Sequence, residues 1–336
     1  MRVPPGGPRP TLPSATVGPE NGPKASANRP APPGSLALPE TAAELPRWFE
    51  GKKTIEDVTL HMSELPKLLR LLKDVPQVAG RKLVPAVVMD LDKTLRDGNL
   101  TPELAKALFS KASPVVQATE LGIEAGRGPI NAARLGASGY WLDTALKRLL
   151  TGLASAATPL PFVGRTEAEV EALTHALLDR TGEAGIFDGV RPALAAMKSA
   201  GLEPFIVTAG LEAPARAVAE RLGVPKDHVR GTRPLELNGF FMPVPELPTP
   251  VLGGKSVAIS RLFEEAGWPR NADPVLVMGD NPTITDTGLM KRGWVDAIID
   301  PDARGTKYIE DSLARGNMAF AVNVKPRGDR STGQTY

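Results

Sequence analysis

The 336-residue sequence contains no cysteine and only three histidines. The absence of cysteine excludes disulfide bonds, a thiolate nucleophile and any zinc or iron–sulfur site with cysteine ligands. The histidines, His61, His175 and His228, are far apart along the chain and lack the spacing of metal ligands. We therefore expect core or surface roles for the histidines.

The sequence also lacks a long apolar run, a strong net charge and a signal peptide. No apolar run approaches the roughly 18 residues of a membrane span. The formal net charge is +2, and part of the basic surplus lies in the two tails, so nothing in the charge pattern indicates a nucleic-acid partner. The first residues have no apolar core of a signal peptide, so we expect a cytoplasmic protein with no membrane contact.

Composition divides the chain into tails and a globular part. Residues 1–40 contain 11 prolines and no apolar periodicity, which predicts a disordered proline-rich tail. Residues 325–336 are polar and predict a second disordered tail. Spaced leucines in residues 41–82 predict short amphipathic helices that form an N-terminal helical extension.

Residues 86–99 are the most informative stretch of the globular part. An apolar run, beginning near Leu83, leads directly into Asp90 and Asp92. This pattern predicts a buried parallel strand that delivers acids to the carboxyl edge of a sheet, where open α/β folds bind ligands. In extended geometry the two carboxylates point the same way. Because they repel each other at this spacing, a divalent metal ion is the simplest source of compensation.

A long region of helical pattern follows this strand. Between residues 101 and 185, Thr101 and Ser113 each precede a first-turn proline, and Thr166 with Glu169 forms a capping box. We therefore predict a helical insertion of roughly 85 residues after the first strand.

An alternation of helices and strands then continues to residue 324. Asn238-Gly239, between apolar residues, predicts a hairpin. Predicted helices are 190–200, 214–222, 255–266 and 306–315, and predicted strands are 204–207, 274–278, 295–299 and 319–324. The predicted fold class is therefore α/β with a parallel sheet, and strands ending at Asp90, Thr208 and Asp280 bring polar residues to one edge of that sheet.

Four motifs in this order, AVVMDLDKTL, FIVTAG, GGKS and VLVMGDN, resemble those of the haloacid dehalogenase-like hydrolase superfamily. The resemblance covers about residues 84–300. The long insertion and the stretch DHVRGTRPLELNGFF are similar to the phosphoserine phosphatase-like branch. The resemblance implies a Rossmann-like, three-layer α/β core formed by residues 83–99 and 187–324, with residues 100–186 as an inserted helical cap.

The resemblance also implies a role for each motif residue. Asp90 would be the nucleophile that forms an aspartyl-phosphate, and Asp92 would be the general acid and base. Mg²⁺ would be held by Asp90, the backbone carbonyl of Asp92, Asp280 and water. The residues that would hold the phosphoryl group are Thr208, Ala209 and Lys255.

The fourth motif departs from the family pattern. A second acid usually follows Asp280 by four or five positions, but Ile284 and Thr285 stand there, and Asp286 comes one position later. Either the loop bulges by a residue and Asp286 joins the metal site, or Asp280 alone serves the metal. Asn281 is a further candidate in the same loop.

A second departure bears on the substrate. In phosphoserine phosphatases, a glutamate nine positions after the nucleophile contacts the substrate amine. In this chain, Asn99 stands at that position. Asn99 is thus a candidate site residue that argues against phosphoserine and leaves other small phosphomonoesters open.

The predicted function is a Mg²⁺-dependent phosphatase that acts on a small phosphorylated metabolite. A phosphotransferase or phosphomutase on the same core is one alternative. A binding or regulatory protein that has kept the fold without turnover is another, and the irregular fourth motif motivates it. Dehalogenation is disfavoured because the dehalogenating relatives lack the second acid, which this chain keeps as Asp92. The sequence names neither the substrate nor the oligomeric state.

Overall fold

The computed structural model of the chain describes residues 38–75, 82–108, 152, 156–181 and 185–324. Almost all of the predicted N-terminal tail, the whole C-terminal tail and the middle of the predicted insertion lie outside these residues. Within the described part of the chain, no helix has the length and apolar character that crossing a membrane requires.

The elements are numbered in chain order. The helices are α1 (Leu45–Phe49), α2 (Leu65–Leu72), α3 (Leu100–Leu108), α4 (Glu167–Thr181), α5 (Val190–Ser199), α6 (Glu212–Leu222), α7 (Gly254–Glu265), α8 (Thr287–Met290) and α9 (Ala303–Ala314). The strands are β1 (Thr59–His61), β2 (Leu83–Met89), β3 (Glu203–Leu211), β4 (Val229–Thr232), β5 (Pro234–Leu237), β6 (Phe240–Pro245), β7 (Asp273–Gly279), β8 (Val295–Ile299) and β9 (Met318–Asn323).

Seven strands form one parallel sheet in the order β1-β9-β8-β7-β2-β3-β4. The helices that connect the strands pack on both faces of this sheet, so the predicted α/β fold with a Rossmann-like core is confirmed. β2 lies between β3 and β7, and Met89 pairs with Ile206 on one side and Met278 on the other. The polar residues that follow these strands therefore meet at one edge of the sheet.

Burial explains why the strands could be predicted so well. Val87, Val88 and Met89 of β2 are fully buried, as are Leu276 and Val277 of β7. A parallel strand covered by helices on both faces must be apolar on both faces, which gives a continuous apolar run in the sequence. The apolar run ends where the chain leaves the sheet, because the residues beyond that point are no longer covered by helices on both faces.

The prediction that residues 41–82 are only helical is wrong at β1. Residues 59–61 form a strand that pairs in parallel with β9 and completes the sheet at that edge. Leu60 is buried between the less buried Thr59 and His61, with Val58 and Met62 buried on either side. This alternation has the period of a strand, and the open edge of β9 supplies the hydrogen-bond partners that a three-residue strand needs. The remainder of the extension contains α1 and α2, as predicted.

The predicted hairpin is confirmed as β5 and β6, a two-stranded sheet apart from the main sheet. Asn238 and Gly239 both have positive φ, 54° and 82°, as the first and second turn residues of a type I′ hairpin do. Phe241 on β6 exchanges backbone hydrogen bonds with Gly164 and Arg165, at 2.9 and 2.8 Å. The hairpin is thus attached to the segment that leads into α4.

The described parts of the predicted insertion are helical. α3 and α4 flank the undescribed segment. The predicted capping box at the start of α4 is confirmed, because the Thr166 backbone N–H donates to Glu169 Oε2 at 2.8 Å and the Glu169 backbone N–H donates to Thr166 Oγ1 at 3.2 Å.

Candidate active site

The carboxyl ends of the central strands form the candidate site. Asp90 follows β2 directly, Thr208 lies near the end of β3, and Asp280 follows β7. The backbone N–H of Asp90 donates to Met278 O at 2.9 Å, so the chain keeps sheet pairing up to the first candidate residue. Lys255 reaches the same place from the first turn of α7.

Lys255 is fully buried and joins two of the candidate acids. Its ammonium lies 2.6 Å from Asp286 Oδ1 and 2.9 Å from Asp90 Oδ1. Burial alone would lower the pKa of Lys255, but the charges of Asp286 and Asp90 outweigh it, and the pKa is raised above its ordinary value. Lys255 is therefore a permanent cation in the site.

The start of α7 requires a glycine to position this lysine. A Cβ at Gly254 would lie 1.9 Å from the carbonyl oxygen of Thr249, a distance that no side chain can tolerate. The turn is held to the neighbouring loop by a hydrogen bond from Leu252 N to Thr285 O at 3.1 Å. The GGKS motif thus combines a glycine that allows a close backbone approach with the buried lysine next to it.

Asp90, Asp280 and Asp286 form a group of carboxylates. Their candidate ligand oxygens all lie within 4.8 Å of one another. Asp286 is fully buried, and its Oδ2 accepts a hydrogen bond from the backbone N–H of Asn281 at 3.0 Å. Asn281 itself contributes this backbone group, and its carbonyl accepts from the Asp286 N–H at 3.0 Å. The turn between residues 281 and 286 therefore absorbs the extra residue and brings Asp286 beside Asp280.

Gly279 makes this arrangement sterically feasible. A Cβ at that position would lie 2.5 Å from Asp286 Oδ2 and 2.8 Å from the terminal methyl group of Met290. The Gly-Asp pair at the end of β7 thus leaves room for the carboxylate of Asp286, which lies against the strand.

The group carries more negative than positive charge. Burial raises the pKa of Asp90 well above its ordinary value, Lys255 opposes this rise, and the charges of Asp286 and Asp280 increase it. Burial and the charge of Asp286 raise the pKa of Asp280 to about 7. With all three carboxylates ionised around one ammonium, the group would carry two net negative charges, which a hard divalent cation with oxygen ligands would compensate. The donor set therefore fits Mg²⁺.

Asp92 lies beside this group in a different environment. Its Oδ1 accepts the backbone N–H of Leu100 at 2.9 Å and lies 3.7 Å from the guanidinium of Arg96. Burial raises the pKa of Asp92, against the effects of the Leu100 hydrogen bond and the Arg96 charge. A carboxyl group that holds its proton more tightly than usual is suited to proton transfer near neutral pH.

Thr208 and Asp92 face one small space beside Gly210. A Cβ at Gly210 would lie 3.4 Å from Thr208 Oγ1 and 3.5 Å from Asp92 Oδ2. Thr208 is buried, and its hydroxyl accepts the Gly210 N–H at 3.1 Å. The carbonyl of Ala209 is occupied by the Thr232 hydroxyl at 2.8 Å. The second motif thus presents its hydroxyl on the same side as Asp92.

Asn99 is not brought into the group of carboxylates. It is exposed in the turn before α3, where its carbonyl accepts the Glu103 N–H at 3.3 Å. Among the described residues, its side chain forms no hydrogen bond.

Two buried residues near the site make contacts that the sequence did not predict. Arg96 is 4% exposed and forms a two-pronged ion pair with Glu103, with Nη2 at 2.6 Å from Oε2. Thr101, at the start of α3, accepts the backbone N–H of Leu211 through its hydroxyl at 2.9 Å. The second contact spans 110 residues, so no local sequence signal indicates it.

The Thr101 contact gives a stability prediction. Thr101→Val keeps the shape of the side chain but leaves the buried Leu211 N–H without its acceptor, which should lower the free energy of unfolding by about 1–3 kcal/mol. Thr101→Ser keeps the hydroxyl and should lose much less. Urea denaturation of the two variants measures the difference, and equal stability of both would show that the hydrogen bond contributes nothing.

Comparison with known proteins identifies a family whose model matches this chain. A family model described as haloacid dehalogenase-like hydrolase matches residues 87–291, which is more than half of the chain. No curated protein gives a significant match. The matched region contains every motif residue of the site described above.

Two solved structures with TM-scores above 0.5 share the fold at low sequence identity. A protein with unknown function from Bordetella pertussis Tohama I is 16% identical, with a TM-score of 0.51 over 71% of this chain and 98% of that chain. A functionally unknown protein from Anaerococcus prevotii DSM 20548 is 14% identical, with a TM-score of 0.52 over 80% and 94%. A substrate-bound phosphoserine phosphatase complex is 14% identical, with a TM-score of 0.40 over 72% and 94%. With its four motifs at one edge of the sheet and the family match across them, this chain belongs to the haloacid dehalogenase-like hydrolase family.

Proposed function

We propose that this chain is a Mg²⁺-dependent phosphatase that hydrolyses a small phosphomonoester through an aspartyl-phosphate on Asp90. One observation carries the proposal. Asp90 Oδ1 accepts hydrogen bonds from the Leu91 N–H at 2.8 Å and from Lys255 at 2.9 Å. Among the described residues no donor holds Oδ2, so one oxygen of a fixed carboxylate is open for attack on phosphorus.

The acids that fit the metal are Asp90, Asp280 and Asp286, with the backbone carbonyl of Asp92 as the family resemblance implies. When bound, Mg²⁺ supplies positive charge that allows an anionic nucleophile to approach an anionic phosphate. The inclusion of Asp286 in the group favours the bulged-loop alternative for the fourth motif.

The first chemical step uses Asp90 and Asp92. Asp90 Oδ2 forms a bond to phosphorus while the bond from phosphorus to the ester oxygen breaks, and Asp92 donates its proton to that departing oxygen. Thr208 donates its hydroxyl to a phosphoryl oxygen, and Lys255 provides positive charge as charge spreads over those oxygens. The raised pKa of Asp92 supports its role as the proton donor.

The second step returns the enzyme to its starting state. Asp92, now ionised, takes a proton from water, and the water oxygen forms a bond to phosphorus while the bond to Asp90 breaks. Inorganic phosphate leaves and Asp92 is protonated again. A helical cap around residues 100–186, a small phosphorylated metabolite as substrate and a cytoplasmic location remain part of this proposal.

The alternatives have less support. The non-catalytic reading depended on an irregular fourth motif, but Asp286 lies in the carboxylate group despite the extra residue. A phosphotransferase would use the same first step, and the fate of the phosphoryl group distinguishes it from a phosphatase.

Hydrolysis of an aryl phosphate tests the proposal. We expect release of inorganic phosphate that requires Mg²⁺, stops on chelation with EDTA and needs no acceptor alcohol. Absence of turnover with Mg²⁺ or any other divalent cation, on the aryl phosphate and on a panel of phosphorylated metabolites, would contradict the phosphatase. Turnover only with an acceptor would indicate the transferase.

The raised pKa of Asp280 predicts how stability depends on pH without metal. Its pKa is about 7 in the folded chain and 3.8 in its ordinary state, so the folded state holds the proton more tightly. The contribution of protonated Asp280 to the free energy of unfolding is complete below about pH 4 and is lost as pH rises through about 7. In EDTA, the unfolding temperature should therefore fall between pH 5 and pH 8.

Two conditions isolate the contribution of this group. Asp280→Asn cannot ionise, and its unfolding temperature should fall less over the same pH range. Saturating Mg²⁺ should also reduce the fall in the wild type, because the metal stabilises the ionised carboxylates. An equal fall in the wild type and in Asp280→Asn, measured by thermal unfolding in EDTA, would show that Asp280 is not the cause.

A further inference from the structure

Lys93 has an unfavourable backbone conformation in the loop that carries Asp90 and Asp92. Its φ is 59°, in the left-handed region that glycine adopts without strain and other residues rarely adopt. The loop around it is held by hydrogen bonds from the N–H groups of Leu95 and Arg96 to Leu91 O, at 3.0 and 3.2 Å. A strained residue in such a well-defined loop points to a function for its side chain.

The other cations near the carboxylates are already paired. Lys255 is bound by Asp90 and Asp286, and Arg96 is bound by Glu103. Lys93, by contrast, is exposed, and across the described ranges its ammonium has no carboxylate within ion-pair distance. A ligand in the site would therefore find Lys93 available.

The position of Lys93 also separates it from the groups that would hold the phosphoryl. Thr208 and Lys255 are buried at the sheet edge, whereas Lys93 is at the solvent-exposed rim, one residue beyond Asp92. Lys93 directly follows Asp92 in the turn that the hydrogen bonds to Leu91 O close, so the lysine is attached beside the site, and its charge lowers the pKa of Asp280. A substrate whose phosphate is held at Asp90 would keep its alcohol portion outside these buried groups.

We infer that Lys93 is a specificity-determining residue that selects phosphomonoesters with a second negative charge on the alcohol portion. This inference rests on the proposed phosphatase function. The substrate class is an organic phosphate that also carries a carboxylate or a second phosphate. Lys93 attracts this second anion, while the buried groups bind the phosphate that is transferred.

The test compares two inhibitors of aryl phosphate hydrolysis. Phosphoglycolate and 2-hydroxyethyl phosphate both have two carbons and one phosphate, but only phosphoglycolate has a carboxylate. The wild type should bind phosphoglycolate more tightly, as measured by the ratio of the two inhibition constants. Lys93→Gln should reduce this ratio about twofold to fivefold, as expected for one exposed charge contact. The wild-type ratio should also shrink at high salt.

Two further variants separate charge from backbone strain. Lys93→Arg keeps the cation and should retain most of the ratio. Lys93→Gly removes both the charge and the strain, so it should lose the ratio as Lys93→Gln does while its unfolding temperature stays the same or rises. These results together would establish that the lysine contributes charge to binding rather than stability to the loop.

The outcomes separate this inference from the proposed function. A wild type with no preference for phosphoglycolate, or a ratio that Lys93→Gln and Lys93→Gly leave unchanged, would overturn the role of Lys93 and leave the phosphatase intact. Absence of wild-type turnover on both the aryl phosphate and the panel of phosphorylated metabolites would instead overturn the phosphatase, and the role of Lys93 with it.

Discussion

Asp90→Asn is expected to lose at least about a thousandfold in kcat for aryl phosphate hydrolysis. An amide of the same shape cannot attack phosphorus, and removal of a nucleophile that forms a covalent intermediate costs more than removal of a binding contact. The substitution removes one of three neighbouring carboxylates, Asp90, Asp280 and Asp286, and so reduces the repulsion among them. The folded state without metal should therefore be as stable as the wild type, or more stable.

Asp97→Asn is the matched control for this variant. Asp97 is exposed in the same loop, has no place in the carboxylate group and should tolerate the amide with little change in kcat. Phosphate release and thermal unfolding are measured for both variants. Turnover by Asp90→Asn within a factor of ten of the wild type would eliminate Asp90 as the nucleophile.

Lys255→Met should have the largest effect on stability. Lys255 is fully buried between Asp90 and Asp286, and its removal leaves two carboxylates without their shared cation. Breaking a buried ion pair by removal of one partner lowers the free energy of unfolding by about 3–5 kcal/mol. We expect a loss of this size in EDTA, together with a loss of at least about a hundredfold in kcat, because a charge that stabilises the transferred phosphoryl group is gone.

An exposed lysine provides the comparison. Lys307 forms an ion pair with Asp311 on α9, where its side chain is 63% exposed. Lys307→Met should change the free energy of unfolding by less than about 1 kcal/mol, because surface ion pairs contribute little. Urea denaturation in EDTA measures both variants. Similar losses for the two lysines would mean that burial of Lys255 does not determine its contribution.

The sequence predicted the central strands and their polar ends for a physical reason. β2 and β7 are buried on both faces, so each is a continuous apolar run that ends abruptly in acids. The Asn238-Gly239 turn was equally clear, because few other residue pairs favour positive φ at both positions. A cation is unfavourable in the first turn of a helix. The contacts of Lys255 with Asp90 and Asp286 compensate this cost and depend on residues far away in the sequence.

Other features could not be predicted because they depend on distant parts of the chain. β1 is three residues long and lies among leucines with helical spacing, so only the open edge of β9 identifies it as a strand. Thr101 and Leu211 meet because α3 packs beside the end of β3. The position of Asp286 depends on the shape of one turn, and spacing alone left both alternatives open. Arg96 gave no signal because its partner Glu103 is seven residues away and outside any motif.

Trapping of the covalent intermediate tests the central claim most directly. A phosphorylated substrate with a labelled phosphoryl group is mixed with enzyme and Mg²⁺, the reaction is quenched in acid, and the labelled peptide is identified by mass spectrometry. We predict label on Asp90 in the wild type and more label in Asp92→Asn, which lacks the base for the second step. No label should appear in Asp90→Asn. Label on another residue, or rapid turnover by Asp92→Asn with no trapped intermediate, would contradict the account.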